Sequence, residues 1–217
     1  VLIPAKASRS MVPRIYVYSF RIIIAIVYFY AGIAKLNADW MLDAQPLRMW
    51  LPQHSSFPLI GPLFKLKSTA YLFSWMGAAF DLLAPFALFS NRLRPFFYPV
   101  LVIFHILTWI LFPIGVFPWV MIACTTVFFR DEWHFNLWRR FPAGSLHIPS
   151  KSSGHFLMTF WDKQIKGFLV IFLLFQLVFP WRYLTHKGNS YWHEFGYRFA
   201  WKVMLMEKAG YATYYIE

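Results

Sequence analysis

Cysteine is almost absent: Cys124 is the only one in 217 residues, so no intrachain disulfide can form. It sits inside an apolar run and reads as a buried, inert thiol. Charge is scarce as well. Charged residues make up 14% of the chain, where a soluble domain carries about a quarter. Acidic residues are the rarest class, 9 Asp+Glu against 21 Lys+Arg, for a formal net charge of +12. No nucleic-acid motif accompanies that charge, and no internal repeat or signal peptide is evident. The basic residues flank apolar runs, which points to membrane topology and anionic headgroups, not nucleic acid. A chain that begins at Val1 reads as a piece of a longer protein.

What is abundant is apolar and aromatic. Hydrophobic residues reach 59% and aromatics 22%, with 11 Trp and 12 Tyr. Several runs approach the ~20 residues that a helix needs to cross a bilayer. The first is Ile15–Ala34, between Arg14 and Lys35; the second is Ser68–Ser90, between Lys67 and Arg92. The stretch Phe96–Phe129 is too long for one helix and is broken by Pro113, Gly115 and Pro118. It reads as a hairpin with arms Phe96–Phe112 and Ile114–Phe129, or else as one kinked, tilted helix. A polar loop, Arg130–Asp162, precedes a last span at Ile165–Leu184. The fold class is therefore all-α, a polytopic transmembrane bundle of about four to five spans over residues 1–184. Residues 185–217 form an aromatic-rich extramembrane tail, expected to begin a further C-terminal domain.

Lys and Arg near span ends set orientation. With the hairpin, Lys6, Arg9, Arg14, Arg92, Arg94, Arg130, Arg139, Arg140, Lys151 and Lys163 fall on one side, the cytoplasmic side. Lys35 with the loop Leu36–Lys67, the Pro113–Pro118 turn and the tail fall on the other.

Ionisable groups within the spans are costly and should face protein. In the first span Tyr18, Arg21, Ala25, Tyr28, Gly32 and Lys35 share a helical stripe. In the second, Ala70, Ser74, Gly77, Asp81 and Ala84 do the same. Counting rise per residue from the cytoplasmic ends puts Arg21 at ~10 Å and both Asp81 and His105 at ~13 Å. An Arg21–Asp81 ion pair is the structural expectation, and a proton path through Asp81 and His105 is the functional alternative. His105 is either a hydrogen-bonded core residue or a catalyst. Lys35 is either a snorkelling lysine that ends its span or an amine base. The second role requires about 4–5 kcal/mol of differential interaction to hold the amine neutral near pH 7. An apolar pocket with a neighbouring cation supplies effects of that size.

Tyr28-Phe-Tyr-Ala-Gly-Ile-Ala-Lys-Leu-Asn-Ala-Asp-Trp40 resembles the lysine segment of the vitamin K-dependent gamma-carboxylase family. Phe104-His105, Ile114–Met121 and the tail motif Trp192–Met204 follow in the family's order. The resemblance implies oxygenation of vitamin K hydroquinone to its epoxide. That reaction generates a strong base which takes a γ proton from a peptide glutamate, and CO2 adds there. It implies Lys35 as the base for the hydroquinone, with His105 as a second catalytic candidate. O2 and CO2 are co-substrates, and no metal is expected. Asp39, Trp40, Trp119, Glu194, Arg198 and Trp201 become candidates for quinol or substrate binding, with Trp192 as a further pocket wall. For single tryptophans interface anchoring remains the plainer role. The family also has a histidine in an upstream membrane segment and a large aqueous C-terminal domain, neither matched here, so the chain reads as its membrane half.

The implied partners are lipid, a quinone and a glutamate-containing peptide, with the active side facing away from the cytoplasm. Two rivals stay open. One is a non-carboxylating relative that binds or oxidises a quinone. The other is a small transporter or scaffold using Arg21, Asp81 and His105 as a polar layer.

Overall fold

The computed structural model describes residues 13–112, 114–138, 158–188 and 196–202. Its long helices are α1 (Arg14–Lys35), α4 (Lys67–Phe89), α5 (Arg94–Leu111) and α8 (Met158–Val178). Between α1 and α4 lie two one-turn helices, α2 (Ala38–Met41) and α3 (Leu47–Trp50), and two 3-10 turns. Two further helices are α6 (Phe117–Thr125) and α7 (Asp131–Trp138). There is no strand among the described residues. Among the described residues four helices are long and apolar enough to cross a membrane, and the protein is an all-α helical membrane bundle.

The stripe on α4 does what its spacing demands. Ala70, Ser74, Gly77, Asp81 and Ala84 are all buried, while Leu72, Met76, Leu83 and Phe86 on other faces are exposed. On α1, Tyr28, Gly32 and Lys35 turn inward. Gly32 sets the distance between the two helices. A Cβ there would stand 2.7 Å from Leu82 Cγ and 3.0 Å from the Leu82 backbone nitrogen. Small residues permit this close approach, which gives dispersion contact where lipid removes the hydrophobic drive between helices.

The hairpin is present. α5 ends beside the Trp40 cluster, with Leu111 and Phe112 in that core. α6 returns, and its 3-10 continuation, Thr126–Phe128, brings the Val127 carbonyl to Arg21. Gly115, with φ +64°, takes the left-handed turn position that favours glycine. The returning arm is short. Phe117–Phe128, at 1.5 Å per residue, spans about 18 Å, yet it brings Phe129 and Trp133 back to Tyr98 near the start of α5. The polar loop expected from Arg130 to Asp162 is corrected at both ends, since α7 occupies Asp131–Trp138 and α8 begins at Met158.

The segment between α1 and α4 is a cap rather than an open loop. Asn37 turns the chain: its amide donates to the Ala34 carbonyl at the end of α1, and its carbonyl oxygen accepts from the Trp40 nitrogen that opens α2. This satisfies groups that helix ends leave unpaired. Trp40, Leu47, Leu51 and Phe64 then build a small core over the Lys35 end of the bundle with Ala70 of α4. A second core, around Tyr28, Phe80, Leu88, Leu101 and Phe128, fills the rest.

α8 packs beside α1, where the Tyr30 hydroxyl donates to the Leu177 carbonyl. Most of its apolar surface, including Phe168, Ile171 and Val178, is exposed. After a 3-10 segment, Phe179–Thr185, the residues Gly196–Lys202 lie back against it. Arg182 donates to the Arg198 carbonyl at 2.9 Å, and the Lys202 ammonium sits 3.7 Å from the Tyr183 ring centre.

Candidate active site

Lys35 does not snorkel. It is 7% exposed, and its Nζ donates to Asp81 Oδ2 at 2.6 Å and to the Ala31 carbonyl at 3.3 Å. The residue sits in the last turn of α1, where the cap closes over it. Trp40 forms the roof, with Lys35 Nζ 5.4 Å from its ring centre. The indole is fixed twice by α4: Nε1 donates to the Ser74 carbonyl at 2.8 Å, and Ser74 Oγ donates to the Trp40 carbonyl. Gly77 leaves room for the ring, its Cβ position lying 3.8 Å from Trp40 Cζ2.

The expected Arg21–Asp81 pair is therefore corrected. The depth count took the two helices to end level, but they are staggered. Gly32 meets Leu82, so Phe89, seven residues on, comes level with about Ala25 and not with Arg14. Asp81 is thereby carried to Lys35. Arg21 instead donates through Nε and Nη2 to the Val127 carbonyl, at 3.0 and 2.8 Å.

A second polar pair faces the same cavity. Tyr28 Oη and His105 Nε2 share a hydrogen bond at 2.7 Å between α1 and α5. Both residues are buried, at 2% and 4% exposure. Thr108, one turn on, donates to the His105 carbonyl at 3.0 Å. The cavity has a volume of about 90 Å³ and is lined by Lys35, Asp81, Tyr28 and His105 together with Trp40, Phe104, Phe117 and Met121. Phe104 stacks on Phe80 at 3.9 Å, which stiffens that wall. Apolar walls, part aromatic and part aliphatic, with convergent acid, amine, imidazole and phenol groups suit an apolar ligand with a few polar handles. The volume holds several water molecules as it stands; a bicyclic ring requires lining side chains to move.

Other expected site residues lie apart from this cavity. Asp39 is exposed on α2. Trp119 is 47% exposed and packs edge-on against Trp109. Arg198 is exposed, and Trp201 packs against the core around Tyr28 without lining the cavity. Glu194 and Trp192 lie outside the described residues. Sequence reasoning missed Tyr28 as the partner of His105. Its signal was position, since it stands seven residues, two turns, before Lys35 on the same stripe.

Two family models match the chain. Residues 1–133 match the HTTM domain, which takes in every residue lining the cavity. Residues 161–217 match the lumenal domain of vitamin K-dependent gamma-carboxylase, from α8 through the tail. No solved structure matches the chain. The two matches support a vitamin K-dependent carboxylase-like function in general. With the HTTM domain covering more than half its length and the lumenal domain following on the same chain, this protein belongs to the vitamin K-dependent gamma-carboxylase family.

Proposed function

We propose that this protein oxygenates vitamin K hydroquinone to its epoxide and couples that reaction to carboxylation of peptide glutamate, with Lys35 as the base that takes the hydroquinone proton. The observation that carries the reading is the buried amine of Lys35, turned into an aromatic cavity and paired with Asp81 at 2.6 Å.

The residues present fit a reduced naphthoquinone. Trp40, Phe104 and Phe117 offer faces to a flat ring, and Lys35 and His105 offer polar atoms to its two hydroxyl groups. When bound, the quinol supplies the electrons for O2 and, on conversion to epoxide, the base strength needed to take a glutamate γ proton, after which CO2 adds.

The chain's own part is proton handling. In a low-dielectric cavity the Lys35–Asp81 pair holds one proton between an amine and a carboxylate, since two separated charges there are costly. With that proton on the Asp81 side, Lys35 Nζ is a neutral amine. A phenolic hydroxyl has a proton affinity close to that of an amine, so transfer to Nζ is near balance. The ammonium that results lies between the hydroquinone oxyanion it has just produced and the Asp81 carboxyl group, which keeps its own proton; the attraction to the oxyanion is strong at low dielectric. His105, held by Tyr28, orients the second hydroxyl.

In this reading the Lys35 end of the bundle faces away from the cytoplasm, where a peptide can reach the site and the quinol enters from lipid. Arg21 is not brought to Asp81 or His105, which removes the motive for a three-residue transport layer.

The test is coupled turnover. The full-length protein, given reduced vitamin K, O2, labelled bicarbonate and a glutamate-rich peptide, is expected to form epoxide and labelled peptide together. Epoxide without label would leave a quinol oxidase, and neither product would overturn the proposal.

A further inference from the structure

The Arg14 end of the bundle carries a second, larger cavity of about 890 Å³, lined among others by Arg21, Asn91, Arg94, Arg130, Glu132 and Trp133. We propose that it binds the phosphate of an anionic phospholipid headgroup. This inference is independent of any role for Lys35, which sits at the opposite end of α1.

The charge balance points to an anion. Among the described side chains the lining holds three arginines and one carboxylate. Glu132 pairs with Arg130 at 3.4 Å. Arg21 and Arg94 are bonded to neutral acceptors instead. Arg21 uses Nε and Nη2 on the carbonyls of Val127 and Phe128. Arg94 uses Nε on the Leu88 carbonyl, and Nη2 on the Phe89 carbonyl and Asn91 Oδ1. These bonds fix both guanidinium groups, and among the described side chains no carboxylate pairs with either. Each keeps its Nη1 donors, and a guanidinium offers five N–H groups in a fork suited to phosphate oxygens. Arg94 is itself only 8% exposed. A buried cation without a carboxylate is expensive, and an anionic ligand removes that cost.

Lipid is favoured over a free anion by the exposed apolar residues close in sequence to the lining. Phe20 on α1, Phe89 at the end of α4, and Phe96 and Val100 on α5 are exposed apolar groups near the same end. They offer a surface for acyl chains next to the charges. Arg94 opens α5, and Arg21, about 10 Å along α1 from Arg14, lines the same cavity. Basic pockets between spans at this level suit anionic headgroups.

The test is native mass spectrometry of the full-length protein in detergent, titrated in turn with phosphatidylglycerol, phosphatidylcholine and inorganic phosphate. Phosphatidylglycerol is expected to bind most tightly, with affinity falling as salt rises and about five-fold weaker for each of Arg21→Gln and Arg94→Gln. Arg21→Lys is expected to retain most of the binding. If the glutamine variants fail to fold, the salt series on the wild type decides. Equal affinity for phosphatidylcholine, binding indifferent to salt, or unchanged affinity in a folded Arg21→Gln variant would overturn the proposal. Equal binding of inorganic phosphate alone would overturn the lipid assignment and leave a free-anion site.

Discussion

Lys35 Nζ and Asp81 Oδ2, 2.6 Å apart, join the last turn of α1 to the middle of α4 with both side chains nearly sealed from solvent. The pair ties together the two helices that pack most intimately, at the point where the cap closes. Its consequences for stability and for chemistry separate experimentally.

Removing one partner leaves the other charge buried and alone. Asp81→Ala is expected to cost about 3–5 kcal/mol of stability. The double variant Lys35→Met/Asp81→Leu removes both charges and should recover much of that loss. Thermal unfolding of the detergent-solubilised variants checks both. If the double variant is as unstable as the single, the pair is not coupled as described.

Tyr28→Phe deletes only the hydroxyl that meets His105. A buried imidazole that loses its partner costs about 1–3 kcal/mol. If His105 positions the quinol, turnover should fall by roughly ten-fold, the factor for 1.4 kcal/mol of lost transition-state contact. Separate measurement of kcat and KM shows whether the loss lies in turnover, as expected here, or only in quinol affinity.

Trp40 and Trp119 make opposite predictions. Trp40 is 4% exposed and anchored to Ser74, so Trp40→Ala should cost about 3–5 kcal/mol and weaken quinol binding. Trp119 contributes one edge-on contact with Trp109, so Trp119→Ala should cost about 1 kcal/mol and leave quinol affinity unchanged. Quinone titration monitored by fluorescence quenching compares the two.

Gly32→Leu forces side-chain atoms into Leu82 and its backbone. Separating α1 from α4 should cost at least about 1–3 kcal/mol and pull Lys35 from Asp81. Quinol turnover should fall with stability. Gly167→Leu on α8, where a Cβ meets nothing within 4 Å, should leave both near wild type.

These cases also mark what the sequence discloses. Spans were legible because apolar length and helical period act locally: Ala70, Ser74, Gly77, Asp81 and Ala84 share a face by spacing alone. The hairpin was legible because Gly115 interrupts a run too long for one helix, with prolines on either side. Lys35 as the candidate base came from the resemblance of its motif. The partner of Lys35 was not legible, because depth counting assumes level helix ends and Gly32 against Leu82 staggers them. The cap escaped because its helices, Ala38–Met41 and Leu47–Trp50, are single turns held by tertiary contacts with α4. Trp40 and Trp119 are alike as letters, and only packing distinguishes a cavity roof from a surface ring.

Epoxide formation from reduced vitamin K by the full-length protein decides whether Lys35 is the base, comparing wild type, Asp81→Asn, and Asp81→Asn/Lys35→Ala. The asparagine background avoids a lone buried carboxylate, so that loss of the amine is not confused with misfolding. Epoxide is expected from wild type, less from Asp81→Asn, and none above background once Lys35 is gone. Undiminished epoxide without Lys35, or none from folded wild type supplied with oxygen, would contradict it.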